Sequence, residues 1–341
     1  MLLQFTNKGI YCPQAALYID PWKPVNKAII THAHSDHARY GNKNYLAHTH
    51  SENILKHRLG NIAIETLAYN QPININGVTI SLHPAGHIIG SAQVRLAYKN
   101  EVWVVSGDYK VKHDGYTVPF EPIKCNHFIT ESTFGLPIYD FPETESVNLK
   151  MNNWVKQNAS EGLNSVLIGY ALGKAQRILK GLDTDLPILL HNTIYQTNEA
   201  LQFDNSRYLK FNTDYKNDNK NPHIILATSS VLGTSWLKRF EDYKIAMCSG
   251  WMQLRGTRRR QNLDIGFVMS DHADWQSLNY AVQATGAENV YVTHGYKSLY
   301  SKWLREEYKL NAVEIDTLFE GESVNKSMDE DGQEEKQILM P

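Results

Sequence analysis

The sequence predicts an α/β protein on two observations. Short runs rich in β-branched and aromatic residues, punctuated by turns, fill the first third of the 341-residue chain and are typical of strands. After a proline-containing connector, segments with helical spacing alternate with short apolar runs, and this alternation favours a parallel sheet with helices packed on it. A chain of this length has room for one large domain or two ordinary ones.

The first third is expected to form a sheet-rich layer with one helix. Several of its runs alternate apolar and polar side chains with the period of two of a half-buried strand. The expected strands cover residues 15–20, 27–32, 77–87, 91–98, 101–108 and 127–133. In this part of the chain, only residues 51–59 show clear helical spacing.

The rest of the chain alternates helices with strands. After the connector at residues 134–146, helical spacing covers 145–160, 171–182, 275–287 and 297–309. Apolar runs that we expect to be strands cover 165–170, 187–191, 223–230, 245–250, 265–271 and 289–295. The sequence contains no internal repeat of the length typical of solenoids.

Charge is distributed unevenly along the chain. The formal net charge is −2, but residues 319–341 hold seven acids against two lysines, which is typical of a solvated, disordered tail. The other 318 residues therefore carry a net charge of +3, and Arg255, Arg258, Arg259 and Arg260 concentrate four positive charges. Because guanidinium groups bind phosphate oxygens in a fork geometry, this cluster is a candidate contact for a nucleic-acid backbone. A solvated basic surface is the alternative.

Nothing in the sequence indicates secretion or a membrane. A run of about 18 apolar residues is absent, and the first residues, MLLQFTNKG, lack the pattern of a signal peptide. Cys12, Cys125 and Cys248 are widely spaced and form no CxxC pair, so they suggest neither a zinc site nor a disulfide framework. We expect a cytoplasmic protein with reduced, buried thiols.

One segment concentrates candidate metal ligands. In IITHAHSDHARYG, the residues His32, His34, Asp36 and His37 directly follow an apolar strand. Neutral imidazole and carboxylate are the ligands that zinc accepts where no thiolate is available. The HxHxDH spacing differs from the helical HExxH motif and suits a loop folded around two ions. The alternative is a polar loop in which the histidines are accidental.

Three further strand ends supply ligands of the same kind. His87 follows Gly86, Asp108 follows Gly107 at the end of an apolar run, and His294 ends the run VYVTHG. A glycine before a ligand leaves little bulk to block a metal, and a carboxylate at Asp108 could bridge two cations. Four such junctions together predict a binuclear metal site.

The remaining histidines are expected to lie outside the ligand set. His48 and His50 repeat the HxH spacing, but they stand at the start of an expected helix, where a surface or capping role is favoured. His83 shares a segment with His87 and is expected at most to support a ligand. The isolated histidines are His57, His113, His127, His191 and His223.

Glu131 and His272 point to the reaction. Both lie at strand ends among small polar neighbours. If they meet, Glu131 would orient His272, which would contact a scissile phosphate or protonate the leaving oxygen. On these residues alone, a capping glutamate and a core histidine are the alternatives.

Four other residues have weaker assignments. Ser229 and Ser230, near an expected helix start, are a candidate phosphate cradle, with ordinary N-capping as the alternative. Trp251 and Trp275 could stack on bases, but buried packing is favoured for both.

Taken together, the metal motifs resemble the metallo-β-lactamase superfamily of binuclear hydrolases. The resemblance implies an αββα sandwich with two Zn²⁺ ions, for which Mn²⁺ is the alternative. It implies that one ion is held by His32, His34 and His87, the other by Asp36, His37 and His294, and both by a bridging Asp108. The catalytic residues implied are Asp36, Glu131 and His272.

A narrower resemblance concerns the β-CASP nucleases of that superfamily. Glu131, His272 and His294 match their motifs, and ALGKAQ, residues 171–176, is similar to a helix start of their inserted domain. The domains implied are a metallo-β-lactamase domain in two parts, an inserted α/β domain and an acidic tail, at residues 1–139 with 246–318, 140–245 and 319–341.

Longer sequence segments narrow the expected class of substrate. GWMQLRGTRRR, GFVMSDHADW and VTHGYKSLYSKWLRE resemble the bacterial ligase-associated DNA exonucleases, which implies DNA repair beside an ATP-dependent DNA ligase and an Lhr-type helicase. The DNA-acting Artemis-type members usually have valine at the position of His294. Histidine at this position is typical of RNA-acting members. The leading hypothesis is a zinc-dependent DNA exonuclease, with 5′ to 3′ polarity suggested by the relatives. The alternatives are an RNA-processing nuclease and a non-catalytic nucleic-acid-binding subunit.

Overall fold

The computed structural model describes residues 1–211, 221–254 and 263–318, which form two compact units. The first unit comprises residues 1–140 and the described residues from 271 onward, and the second comprises residues 141–270. Within the described ranges the helices are α1 (Glu52–Leu59), α2 (Thr144–Ser160), α3 (Lys174–Gly181), α4 (Asn192–Ala200), α5 (Trp275–Thr285) and α6 (Lys297–Tyr308).

The first sheet of the first unit follows chain order. Its strands are β1 (Gln4–Thr6), β2 (Gly9–Cys12), β3 (Leu17–Ile19), β4 (Lys27–Ile29), β5 (Asn44–His48) and β6 (Ile64–Leu67). β1, β2 and β3 pair antiparallel. β3, β4, β5 and β6 pair parallel, so the segments that follow these strands leave from one edge.

The second sheet of this unit is mixed, and its parallel half matters for the site. Its strands are β7 (Ile73–Ile75), β8 (Val78–Pro84), β9 (Ala92–Tyr98), β10 (Glu101–Val105), β11 (His127–Ser132), β18 (Asn289–Gly295) and β19 (Asn311–Glu314). β7 to β10 pair antiparallel, whereas β10, β11, β18 and β19 are parallel neighbours. The carboxyl ends of the parallel strands therefore meet at one edge, where α/β proteins bind ligands.

The two sheets pack face to face on a shared apolar core. Ile29 of β4 contributes to this core, as do Trp103 and Val105 of β10. Val104, which lies between those two, belongs instead to a second cluster with Leu278 of α5 and with residues of α6. The alternation of side chains along a strand explains why β10 serves both cores.

The described residues of the second unit form a wholly parallel sheet. Its strand order is β14 (Tyr208–Lys210), β13 (Ile188–Leu190), β15 (Ile224–Ala227), β12 (Asn164–Ile168), β16 (Tyr243–Cys248) and β17 (Ile265–Phe267). Every residue of β12, β13 and β15 is buried, as expected for parallel strands that are covered on both faces. Met151 of α2, Ile178 of α3 and Ile194 of α4 pack on this sheet.

The expected α/β class is confirmed, one helix had no sequence signal, and the expected domain bounds stay a prediction. Helix α4 had no sequence signal, because NTIYQTNEA buries more polar than apolar side chains and so lacks an apolar stripe. The boundary predicted at residue 245 falls inside β16, which pairs with β12 from Tyr243 to Met247. Because β17 then pairs with β16, the second compact unit continues to Ser270.

None of the helices in the described ranges is long and apolar enough to cross a bilayer. The acidic tail predicted at residues 319–341 lies outside those ranges.

Candidate metal centre

Strand ends of both sheets in the first unit bring the predicted ligands together. β4 leads into the segment with His32 and His34, and β8 leads to His87. Asp108 lies three residues after β10, and His294 is the second-last residue of β18. Because β10, β11 and β18 are parallel neighbours, their carboxyl ends share one edge.

Three imidazoles and one carboxylate form the first group of potential ligands. Ligand atoms of His32, His34, His87 and Asp108 lie within 4.8 Å of one another. The ring centroids of the histidines are 5.0, 4.8 and 4.8 Å apart, so the rings form a nearly equilateral triangle. This convergence is the arrangement that the HxH motif and His87 predict.

A second group adjoins the first. Ligand atoms of His37, Asp108 and His294 also lie within 4.8 Å of one another, as do those of His32, Asp36 and His37. Oδ2 of Asp36 is 3.5 Å from Nε2 of His37. The structure thus brings together all seven predicted ligands.

Asp108 lies between the two groups. Its Oδ1 is 2.9 Å from Nε2 of His294, while its Oδ2 is 3.5 Å from Nε2 of His32 and 3.6 Å from Nε2 of His37. Burial raises the pKa of this carboxyl, but His37 and His294 overcome that effect and hold it well below its usual range. Asp108 is therefore ionised and faces both groups, the position that a bridging ligand requires.

The donor set fits divalent metal ions. Burial holds the pKa of His32 well below its usual value, and burial and His272 do the same for His87, so both rings are neutral, the form that binds a metal. In the part of the chain that the structure describes, Nε2 of His32 is buried without a hydrogen-bond partner. A buried nitrogen without a hydrogen-bond partner, beside a carboxylate and two further imidazoles, is a donor arrangement that a divalent metal ion would complete.

Glu131 and His272 form the second predicted feature. Nδ1 of His272 is 2.9 Å from Oε2 and 3.1 Å from Oε1 of Glu131, and Oε1 also accepts a hydrogen bond from Tyr109 N at 2.9 Å. Burial lowers the pKa of His272, but Glu131, Asp108 and Asp271 more than offset this and raise it to about 10. The His272 and His87 rings are 4.6 Å apart, so the pair adjoins the ligand cluster.

Sequence reasoning missed Asp20. This buried carboxylate accepts hydrogen bonds from Thr31 N at 2.8 Å, from Thr31 Oγ1 at 2.6 Å and from His37 Nδ1 at 2.7 Å. Although burial lowers the pKa of His37, Asp36, Asp108 and Asp20 raise it to about 10, so His37 would have to release its Nε2 proton when it binds a metal ion. Asp20 directs Nε2 of His37 at the cluster, as carboxylates behind metal-binding histidines do. The signal was available, since Asp20 directly follows β3.

Asp271 was missed as well. It is fully buried, and its carboxylate belongs with His87 and His272 to another group of potential ligands within 4.8 Å. Its carbonyl oxygen accepts a hydrogen bond from Nδ1 of His87 at 2.8 Å. Asp271 thus orients the His87 ring and adds a negative charge beside His272.

The reason given for glycine before His87 was wrong. Gly86 adopts a φ of +77°, and a side chain there would collide with the Lys110 carbonyl. Glycine is needed for the backbone geometry of the loop and for its close packing, not to leave room for a metal.

The other histidine pair takes the capping role. Nδ1 of His48 accepts a hydrogen bond from His50 N at the start of the 3-10 turn Thr49–Ser51. His48 is buried and His50 is exposed.

The weaker assignments have mixed outcomes. Ser229 begins a three-residue 3-10 helix, not an α-helix, and Ser230 Oγ lies 2.7 Å from Thr228 Oγ1, so a phosphate-binding role for Ser229 and Ser230 stays a prediction. Trp251 and Trp275 are buried as expected. The predicted arginine cluster at residues 255–260 lies outside the described ranges.

Comparisons with known proteins give matches to parts of curated proteins and to a solved structure. No family model matches the chain. It is 28% identical over 304 residues to a protein from Opitutus terrae named Probable DNA ligase, covering 88% of this chain and 30% of that protein. It is 23% identical over 348 residues to Endoribonuclease YSH1 of Saccharomyces cerevisiae, covering 78% of this chain and 44% of that protein.

Two further matches are partial or structural. Over 122 residues, 35% of this chain, it is 28% identical to Cleavage and polyadenylation specificity factor 73 of Drosophila melanogaster, of which the match covers 18%. A crystal structure of a protein of unknown function from Enterococcus faecalis shares the fold, with a TM-score of 0.63, 11% identity, and coverage of 85% of this chain and 79% of that one. The chain spans less than half the length of the three curated relatives, and it is similar to parts of proteins named for DNA joining and RNA cleavage.

Proposed function

We propose that the protein is a metal-dependent nuclease with a binuclear centre of the metallo-β-lactamase type. The first metal ion would be held by His32, His34 and His87, the second by Asp36, His37 and His294, and both by Asp108. The proposal is supported by the convergence of these seven side chains and by the neutral state of His32 and His87. Zn²⁺ suits imidazole and carboxylate ligands, and Mn²⁺ is the alternative.

The Glu131–His272 pair carries the assignment to phosphodiester cleavage. Bound metal ions would supply Lewis acidity and a nucleophile at neutral pH, which would serve a thioester or a lactam equally well. Glu131 engages Nδ1 of His272, which leaves Nε2 on the side of the ligand cluster. The carboxylates of Glu131, Asp108 and Asp271 raise the pKa of His272, which favours the protonated form of the ring. It would bind a phosphoryl oxygen and donate the Nε2 proton to the leaving oxygen.

DNA is the substrate that we propose first. The match to the protein named Probable DNA ligase covers 88% of this chain, more than the other matches above. A chain similar to one segment of such a protein would process DNA ends before joining. The ligase and helicase partners expected from the sequence stay predictions. The second compact unit would then be the inserted domain, and the arginines at 255–260 would contact the DNA backbone.

RNA is the second candidate, and two observations favour it. The matches to Endoribonuclease YSH1 and to Cleavage and polyadenylation specificity factor 73 carry names from RNA processing. His294, at 2.9 Å from Asp108, is the residue typical of RNA-acting members of the family that the motifs resemble.

Digestion of matched strands separates these candidates. The purified protein would be incubated with DNA and RNA of one sequence, each labelled at the 5′ and then the 3′ end, with Zn²⁺ or Mn²⁺ and with a chelator as the control. Faster, metal-dependent release of mononucleotides from DNA supports the leading proposal. Faster cleavage of RNA transfers the assignment to RNA, and failure to cut either strand by a metal-loaded protein overturns the nuclease proposal.

A further inference from the structure

Arg58 of helix α1 is a buried cation that contacts the first ligand loop, the segment that carries His32 and His34. Arg58 is 7% exposed, and its Nη1 donates a hydrogen bond to the carbonyl oxygen of Ala33. Ala33 is fully buried and lies between His32 and His34. Because this carbonyl belongs to the backbone that joins the two histidines, holding it fixes the direction in which both imidazoles point.

The residue just before α1 contacts the second ligand loop, the segment that carries His87 and continues to Ser91. Ser51 Oγ donates a hydrogen bond to the Gly90 carbonyl oxygen at 2.9 Å. Gly90 has a φ of +79°, and a Cβ there would lie only 2.7 Å from Ser51 N. In the same loop, Ser91 Oγ accepts hydrogen bonds from His87 N at 3.1 Å and from Ile88 N at 3.2 Å. The position of His87 is therefore linked to Ser51 through a short, tightly packed loop.

Ser51 and Arg58 lie at opposite ends of one rigid element, about 10 Å apart at the helical rise per residue. We propose that α1 fixes the spacing between the two loops that carry His32, His34 and His87, and that Arg58 is a positioning residue for these ligands. The inference rests on the metal centre of the proposed function. It assigns Arg58 a role in metal affinity through its hydrogen bond to the Ala33 carbonyl oxygen.

The choice of arginine supports a positioning role over simple packing. Burying a guanidinium is costly unless its donors are used, and an apolar side chain of similar volume would fill the space at lower cost. A charge-assisted hydrogen bond from a planar group holds a carbonyl more firmly than a neutral donor does. On the exposed face of the same helix, Lys56 pairs with Glu52 at 2.7 Å and offers a matched cation that does not touch a ligand loop.

The test is metal affinity in the full chain, measured by competition with a chelating dye for Zn²⁺ and by the visible spectrum of the Co²⁺-loaded protein. Arg58→Met is expected to weaken Zn²⁺ binding about 10- to 100-fold, the range typical of residues that orient ligands, and to shift the Co²⁺ bands. Arg58→Lys keeps the charge without the planar fork and is expected to restore part of the affinity. Lys56→Met should bind Zn²⁺ like the wild type.

A second control separates positioning from general destabilisation. Val290→Ala removes buried volume in the cluster that α5 and α6 share with the second sheet, and it should lower the unfolding temperature without changing Zn²⁺ affinity. If it weakens binding as much as Arg58→Met, or if both Arg58 variants bind like the wild type, the positioning role is overturned while the nuclease proposal stands. If Arg58→Met does not fold, Arg58→Lys and Ser51→Ala replace it, and wild-type affinity in both overturns the role. A wild-type chain that binds neither ion overturns the metal centre itself.

Discussion

Two histidine pairs with the same HxH spacing follow neighbouring parallel strands of one sheet, and their surroundings differ. His32 and His34 follow β4, and their rings lie 4.8 Å from the ring of His87. His48 ends β5, stacks on Tyr69 with centroids 3.5 Å apart, and caps the turn that leads to α1. Among the described residues, none of the groups of three or more potential ligands includes His48 or His50.

The difference shows that spacing alone does not make a metal site. The first pair is completed by residues from β8, β10 and β18, which are distant in sequence and end at the same place. The second pair meets an aromatic ring and solvent, and in the described part of the chain it belongs to no group of potential ligands that contains a carboxylate. Convergence of separate strand ends, with a buried carboxylate at the centre, distinguishes the two.

The largest expected effect comes from removing that carboxylate. Asp108→Ala should lower metal-dependent nuclease activity at least about 1000-fold, because it removes several kcal/mol of transition-state stabilisation by the metal centre. Zinc content, measured on the purified variant, should fall as well, while circular dichroism should show a folded protein. Asp316→Ala, which removes an exposed carboxylate paired with Lys297 at 2.7 Å, is the matched control. If Asp108→Ala keeps the zinc content and the activity of the wild type, the Asp108 carboxylate does not distinguish the first histidine pair from the second.

A smaller effect should follow from Glu131→Gln, which keeps the shape of the side chain and removes its charge. Without that charge the pKa of His272 falls towards its usual value, so kcat should drop about 10²- to 10⁴-fold, with KM and zinc content nearly unchanged. Glu121→Gln is the control, because Oε2 of Glu121 also faces a histidine, at 4.0 Å from Nδ1 of His83, outside the ligand cluster. A fall in zinc content without a fall in kcat per bound metal would make Glu131 a ligand.

The smallest effect is expected at the second pair. His48→Gln should leave zinc affinity and nuclease activity unchanged, and should lower the free energy of unfolding by about 1 kcal/mol, because it removes a cap and a ring contact. His50→Gln, at an exposed position, should change stability by less than about 0.5 kcal/mol. Loss of zinc from either variant would show that the second pair also serves the metal site.

The His48 variant also has a pH signature. Burial, together with His50, lowers the pKa of His48 from 6.5 to about 4, so protonation favours the unfolded chain. The contribution of neutral His48 is fully present above pH 6.5 and is lost as the pH falls towards 4. Denaturant unfolding at several pH values should therefore show a shallower acid loss of stability in His48→Gln than in the wild type.

Much of the site was predictable, because its ligands obey a local rule. An apolar strand followed by a histidine or a carboxylate marked His32, Asp108 and His294, and α/β pairing makes such strand ends meet. Asp20 obeys the same rule after β3, so it could have been found. Asp271 could not, because its role depends on the packing of its carbonyl and carboxylate against His87 and His272.

The sequence by itself determined the chemical groups, the strand ends that carry them and the α/β class, because these depend on local composition and period. Only the tertiary structure decided which ends converge, which HxH pair is completed by a carboxylate, and that Arg58 faces the ligand loop. Those outcomes depend on strand order and register between segments more than 250 residues apart in the chain. They also depend on burial, which sets whether an imidazole is neutral or charged. Local sequence carries neither kind of information.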